Sequence, residues 1–453
     1  MKNITRRHFL LGAASLAITG IYILSDAKNL AYPILEKPDS QLLKPIDCDL
    51  IIENAYIIDG SGNSGFIGSL AIKGDEIVAV GSFPKSRFAE KFDAKGMVVC
   101  PGFIDIHTHT ENYIHSGGNP VMILAQGVTT QIGGNCGTSP FSTKEYFASL
   151  GDIGVNIGLL SGYKSIRYLV MGGQRSGIAS PRQVSQMQKK LAEELSAGAF
   201  GLSVGLEYYP QNFATTDELI ELCKVVKDYN GLYATHLRSE SDDLLEAFEE
   251  AVTIGQKTSV QVQYSHTKAS FVRNWEKYPR VLDMLSQAKS SGVDITADTY
   301  YYTFSGWDIG TQPLRHSISE ENIELAIIHD LVFFGSDSGL KSGGRATHPR
   351  AYGNYPRIIK GITGQKIMPL EKAIYKMTGY PAQRFKIANR GLLKPKMKAD
   401  IIAFYPEKVK DLATFENPNL LSEGISEVWL NGKWVIKNGQ YTGLMAGEPV
   451  LRS

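Results

Sequence analysis

The stretch Val98-Val-Cys-Pro-Gly-Phe-Ile-Asp-Ile-His-Thr-His109 decides the fold. Its apolar, β-branched run over 98–106 reads as a buried strand, and two histidines stand just past its end. Residues two apart in an extended chain point to the same side, so His107 and His109 can reach one ion together. Downstream, the order strand, loop, helix recurs. Further strands are expected over 129–132, 156–160, 201–204, 232–235, 260–264, 294–297 and 331–335. The clearest amphipathic helices between them cover 181–197, 216–229 and 241–254. Thr216 is expected to cap the second, with Gly231 just past its end, and Gly255 to close the third. Eight alternations of this kind predict an α/β fold, a (β/α)8 barrel of the TIM type over 98–390.

On either side of that barrel the helical period disappears. Short strands are expected over 50–52, 56–58, 69–72 and 77–80, with turns at Gly60-Ser61-Gly62 and Gly74-Asp75. Beyond the barrel, 399–404, 426–430 and 434–436 again read as strands, and Asn431-Gly432 is a hairpin turn. The two β-rich ends, 47–97 and 391–453, are expected to join into one small β-sandwich domain, preceded by a linker over 28–46. Residues 1–27 read as an address. Thr5-Arg6-Arg7-His8-Phe9-Leu10 places paired arginines ahead of a moderately apolar run, and Ser25-Asp26-Ala27 offers small residues for cleavage. This resembles a twin-arginine signal peptide, which implies the twin-arginine export machinery as a partner and a periplasmic location. The other reading is an uncleaved membrane anchor.

Composition narrows the function. A chain of 453 residues with 43% hydrophobic residues can bury a full core. A net charge of +1, with no long block of like charge, argues against nucleic acid as a partner. The four cysteines form no CxxC pair, so no disulfide framework is expected; Cys48, Cys100 and Cys223 fall in strand or helix patterns and read as core.

The chemistry-bearing residues gather at strand ends. Cys136 follows the second strand, Glu207 and Tyr208 the fourth, and Asp298 and Tyr300 the seventh. His236 ends the fifth strand, His266 the sixth, and Asp337 follows the eighth. In such a barrel these ends share the face that holds the active site. Of nine histidines four lie there, while His115, His316 and His329 fall outside the pattern and read as structural or solvated. Cys136, in a glycine-rich loop, is read as a metal ligand, since a thiolate binds zinc strongly. Asp337 either caps a turn or moves protons beside the metal. Lys268 and Arg350 are either surface charges or the holders of a substrate carboxylate.

The segments around these residues resemble the amidohydrolase superfamily and, within it, the N-acyl-D-amino-acid deacylases. They are PGFIDIHTHTE (101–111), GGNCG (133–137), GLEYYP (205–210), ATHLRSE (234–240), YSHTK (264–268), SDSG (336–339), HPRAYGNYPR (348–357), KMTGYPAQRF (376–385) and DLATFENPN (411–419). The resemblance runs from about Cys48 to the last residues. It implies zinc as the cofactor, bound tightly by Cys136, His236 and His266, with a second, weaker position at His107 and His109 that shares Cys136 and Asp337. It implies Asp337 as the acid/base. It also implies Lys268, Arg350, Tyr208 and a tyrosine of the run Tyr300 to Tyr302 (Tyr300 or Tyr302) as holders of the substrate carboxylate. The expected reaction is hydrolysis of a small-molecule N-acyl-D-amino acid, and the preference for the D form rests on the resemblance alone.

One departure concerns 305–330, which is shorter than the inserted segment that contributes a lid in the family. Three other readings compete. A cyclic amidase of the hydantoinase or dihydroorotase type bridges its metals with a lysine, and 201–209 contains none. A deaminase of the same superfamily has no use for Cys136. An exported metal-binding protein without catalysis would not need the full set of ligands together with Asp337.

Overall fold

Gly102 divides the opening stretch between two sheets. Val98–Pro101 pairs antiparallel with Ile401–Phe404 and parallel with Leu50–Ile57, whereas Phe103–Asp105 pairs parallel with Val128–Gly133. The single strand expected over 98–106 is therefore two strands. Both are fully buried, so the apolar run shows no break. The chain passes very close to its neighbour at this point: a Cβ on Gly102 would lie 2.2 Å from Thr129 Oγ1.

The computed structural model describes residues 45–83, 86–172, 176–306 and 316–452. The expected signal peptide and nearly all of the expected linker lie outside the described residues, as does 307–315 of the shortened segment.

Eight parallel strands build the barrel: Phe103–Asp105, Val128–Gly133, Asn156–Leu159, Gly201–Gly205, Leu232–His236, Gln261–Tyr264, Ile295–Thr299 and Val332–Phe334. The third continues through Ser161–Gly162, which carries the pairing on to the fourth. Ser338–Gly339 pairs with Thr108–His109, and the Asp337 N–H donates to His107 O at 2.8 Å, which joins the last strand to the first. This is the expected TIM-type barrel.

The helices form as patterned, with two corrections at their ends. Pro181–Ser196 starts with a capping box, Ser180 with Gln183. Thr216–Asp228 is capped by Thr215 rather than Thr216: the Thr215 side chain accepts from the Glu218 N–H. Leu244–Thr258 runs through Gly255 and ends at Ser259, which takes the left-handed conformation at φ 55°. Gly255 is there for contact, since a Cβ would lie 2.8 Å from Val293 Cγ1 and 2.9 Å from Val262 Cγ2.

A second apolar layer, including Ile104, Ile132, Phe200, Leu232, Phe333 and Phe385, fills one part of the core, with Phe385 supplied by the helix Gly379–Phe385. Both chain ends contribute to a mixed nine-stranded sheet. Glu76 bridges Lys398, so the sheet curls over an apolar core of Ile52, Ile57, Leu70, Ile72, Val99, Ile401 and Trp429. This is the small β-sandwich beside the barrel. Asn431 and Gly432, at φ 49° and 74°, make the expected two-residue turn between Leu430 and Lys433. The Asn431 amide donates to Asn156 Oδ1 at 2.8 Å, and Arg390 pairs with Asp400, tying this sheet to the barrel.

Candidate active site

Three side chains at the barrel mouth sit on strained backbone. Cys136, His266 and Asp337 have φ of 49°, 37° and 51°. Such non-glycine residues cost about 1–3 kcal/mol each unless their surroundings hold them. They are held. Gln211 is fully buried; its amide donates to Cys136 O at 3.0 Å and accepts from the Gly205 N–H at 2.8 Å. Ser203 Oγ accepts from the Gly137 N–H at 3.0 Å. The His266 N–H donates to Asp298 Oδ1 at 2.9 Å.

The side chains then converge. Cys136 Sγ lies 3.4 Å from His107 Nε2 and 3.5 Å from His266 Nε2. His266 Nε2 is 3.0 Å from His236 Nδ1. Asp337 Oδ1 is 3.2 Å from His109 Nε2 and 3.7 Å from His107 Nε2. The donor atoms of His107, Cys136 and His266 fall within 4.8 Å of one another, as do those of His107, His109 and Asp337. Ligands that share a tetrahedral zinc with bonds of about 2.0–2.3 Å stand about 3.3–3.7 Å apart. Thiolate, imidazole and carboxylate at this spacing fit zinc.

Each inner imidazole turns one nitrogen to the centre and the other to a carboxylate. His236 Nε2 is 3.0 Å from Glu207 Oε2, His266 Nδ1 is 2.9 Å from Glu240 Oε1, and His107 Nδ1 faces Asp298 Oδ1 at 3.4 Å. Such outer carboxylates fix which nitrogen faces a metal and raise its basicity. Burial pushes the Cys136 thiol up, but His107 and its neighbours pull it well below the usual range, in the direction that favours the thiolate. Burial also pushes the Asp337 carboxyl up, yet Arg350 and the histidines hold it well below its ordinary value.

Glu240 has no forerunner in the sequence pattern. It lies four residues past His236, in a loop where no spacing rule applies, and is buried between His266 and Lys268. Burial raises its carboxyl; His236, Lys268 and His266 together bring it below the usual range. Lys268 is thereby occupied: Nζ is 2.8 Å from Glu240 and 3.1 Å from His266 O. Arg350 is different. Nη2 reaches Asp337 Oδ2 at 2.7 Å, while Nε and Nη1 are buried without a hydrogen-bond partner among the described residues.

The tyrosine run separates in space. Tyr300 lies between Arg350 and Lys268, at 4.7 and 5.9 Å from its ring centre, and its hydroxyl is buried without a partner among the described residues. Tyr301 reaches Gln365, and Tyr302 packs on His348 and Phe304 under Arg357. Tyr208 OH is 3.3 Å from His236 Nδ1. A cavity of about 310 Å³ opens over the cluster, walled by Thr138, Tyr208, Lys268, Ser305, Gly306 and Arg350. A wider surface groove of about 900 Å³, beside Lys144, Lys189 and Leu451, touches none of these residues. His115, His316 and His329 bond Ser149, Thr303 and Ser286, and Cys48, Cys100 and Cys223 are buried.

The sequence matches the amidohydrolase family over residues 98–435. It is 32% identical to an N-acyl-D-aspartate deacylase of Alcaligenes xylosoxydans xylosoxydans, over 90% of this chain and 95% of that one. The chain belongs to the amidohydrolase family, in its N-acyl-D-amino-acid deacylase branch. This amidohydrolase is also 30% identical to a D-aminoacylase of the same organism, over 89% of its length and 98% of the relative's. A crystal structure of D-aminoacylase superposes with a TM-score of 0.82 at 29% identity, over 89% of this chain and all of the other. An N-acyl-D-glutamate deacylase from Bordetella bronchiseptica, solved with zinc and a phosphonate mimic of the tetrahedral intermediate, gives 0.82 at 28%, over 90% of this chain and all of that one. A D-hydantoinase shares the fold, with a TM-score of 0.67 at 18% identity.

Proposed function

We propose that this amidohydrolase hydrolyses the amide bond of N-acyl-D-amino acids, releasing a carboxylate and a free D-amino acid. Arg350 carries the reading. A buried guanidinium with two unpartnered nitrogens, 2.7 Å from Asp337 at the metal-type cluster, calls for a substrate carboxylate close to the scissile amide.

Cys136, His236 and His266 would hold one zinc tightly, and His107 and His109, sharing Cys136 and Asp337, would form a weaker second position. When bound, zinc supplies Lewis acidity and brings the pKa of water towards neutrality. Asp337, held deprotonated, accepts the proton of the attacking water and returns it to the leaving nitrogen. Arg350 donates to the substrate carboxylate through Nε and Nη1. Tyr300, between Arg350 and Lys268, lines the same end. Burial pushes the Tyr208 hydroxyl up and keeps it protonated, so it can donate to the carbonyl oxygen as negative charge develops there. Tyr302 is a wall residue behind His348 rather than a direct contact.

The paired Arg6 and Arg7 support export by the twin-arginine machinery to the periplasm. Retention of an Arg6→Lys/Arg7→Lys chain in the cytoplasm is the expected outcome in a fractionation assay.

The activity is tested with paired N-acetyl-D- and N-acetyl-L-amino acids on the zinc-loaded protein. The D series should be cleaved, and Asp337→Asn should lose at least about a hundredfold in kcat. Cleavage of cyclic amides alone, or full activity in Asp337→Asn, would overturn the assignment.

A further inference from the structure

The segment 411–419 lies far along the chain from the cluster and has no part in the chemistry above. It joins two neighbouring strands of the sandwich sheet, Ile401–Phe404 and Ile425–Leu430, yet it reaches across to the barrel. Asp411 pairs with Arg357 at 3.0 Å and Lys360 at 3.3 Å, on the helix that begins at Arg350. Asn419 Oδ1 accepts from the Ala346 N–H at 2.6 Å, and Thr414 and Asn417 close the loop on itself. Between these anchors, the ring of Phe415 lies against Phe304.

Phe304 immediately precedes Ser305 and Gly306, which wall the cavity. Its ring stacks on His348 at 4.8 Å, and its carbonyl accepts from His348 Nε2 at 3.1 Å. His348 Nδ1 in turn accepts from the Arg350 N–H at 3.0 Å. A donor on one side and an acceptor on the other fix a single neutral tautomer of the buried imidazole. Burial and the Arg350 charge both push His348 towards that neutral form.

Resting on the deacylase reading, we propose that Phe415 is a positioning residue for the substrate-carboxylate end of the site, acting through Phe304 and His348 on Arg350. The sandwich domain thereby sets the geometry of one cavity wall. The three ligands of the tight position stand outside this chain of contacts, because Cys136, His236 and His266 are braced by Gln211, Glu207, Glu240 and Asp298, whereas Asp337 meets the chain only at its far end, through Arg350. Loosening Phe415 should therefore weaken substrate binding while leaving metal binding intact.

The test compares wild type, Phe415→Ala and Phe415→Leu as full-length, zinc-loaded protein. Phe415→Ala should raise KM for the best N-acetyl-D-amino acid of a panel roughly tenfold, with kcat changed less than about threefold. Zinc content should not change, and Phe415→Leu should restore most of the loss. Hydrogen–deuterium exchange gives a readout that needs no substrate: Phe415→Ala should speed exchange over 302–306 and 348–353 but not over 133–137. An unchanged KM, or loss of zinc in step with kcat, overturns the proposal. If wild type cleaves no N-acyl-amino acid, the deacylase reading fails, and unchanged exchange over 302–306 still refutes the packing link by itself.

Discussion

Exchanging Arg350 for lysine, and the substrate α-carboxylate for a carboxamide, isolates the contact on which substrate choice depends. One nitrogen of Arg350 is committed to Asp337 Oδ2 at 2.7 Å, and among the described residues Nε and Nη1 have no hydrogen-bond partner. A hydrogen bond to a charged group contributes about 1.5–3 kcal/mol. Lysine keeps a positive charge beside Asp337 but replaces the planar fork with a single point. Losing one such bond lowers kcat/KM for the carboxylate substrate roughly 10- to 150-fold. The carboxamide is neutral and offers one acceptor oxygen in place of two, so it makes no bidentate ion pair with the guanidinium, and the same exchange should cost it less than it costs the carboxylate. The assay is kcat/KM for both proteins on both substrates. Equal losses on the two substrates would refute the reasoning, because Arg350 would then be acting on the fold or on Asp337 alone. Arg350→Met adds a second effect. The guanidinium is the largest influence holding the Asp337 carboxyl down against burial, so its removal raises that carboxyl. A base is lost as pH falls through its pKa. The acid limb of the Arg350→Met profile therefore moves to higher pH than in wild type.

Three other outcomes follow from single features. Glu240→Gln removes the carboxylate behind His266 Nδ1 and should weaken zinc binding about 10- to 100-fold in a chelator competition. Gly102→Ala forces a methyl to within 2.2 Å of Thr129 Oγ1 and should cost about 1–3 kcal/mol, read as a lower Tm. Burial lowers the pKa of Lys376 from 10.5 to about 7. The unfolded chain therefore holds this proton more tightly than the folded one, and stability climbs as pH rises from about 7 to 10.5. Denaturant titration should find that climb flattened in Lys376→Met.

The barrel was legible because its strands are buried, short and separated by helices with clear periods and caps. The strand-end position of His107, His109, Cys136, His236, His266 and Asp337 was legible for the same reason: parallel strands must present their C-terminal ends to one face. What lay hidden was set by contacts between distant segments. The break at Gly102 sits inside one apolar run because both of its halves are buried, in different sheets. Gly255 looked like a helix end because glycine serves both for caps and for close packing, and here it packs on Val262 and Val293. Glu240 lies in a loop and Gln211 opens a single 3-10 turn, neither long enough to carry a period, and their roles exist only once His266 and Cys136 stand beside them. Lys268 carried the expected charge, but its partner Glu240 occupies it. The tyrosine run could not be resolved by type, since all three residues are identical; only the turn after the seventh strand sends Tyr300 to Arg350 and Tyr302 to His348.

Zinc K-edge absorption on the purified protein bears most directly on the proposed metal centre. Wild type should show a sulfur scatterer at about 2.3 Å together with nitrogen at about 2.0–2.1 Å. Cys136→Ala should lose the sulfur shell and the bound ion's resistance to dialysis. A wild-type shell of nitrogen and oxygen alone, unchanged in Cys136→Ala, would contradict the assignment of the thiolate and, with it, the proposed centre.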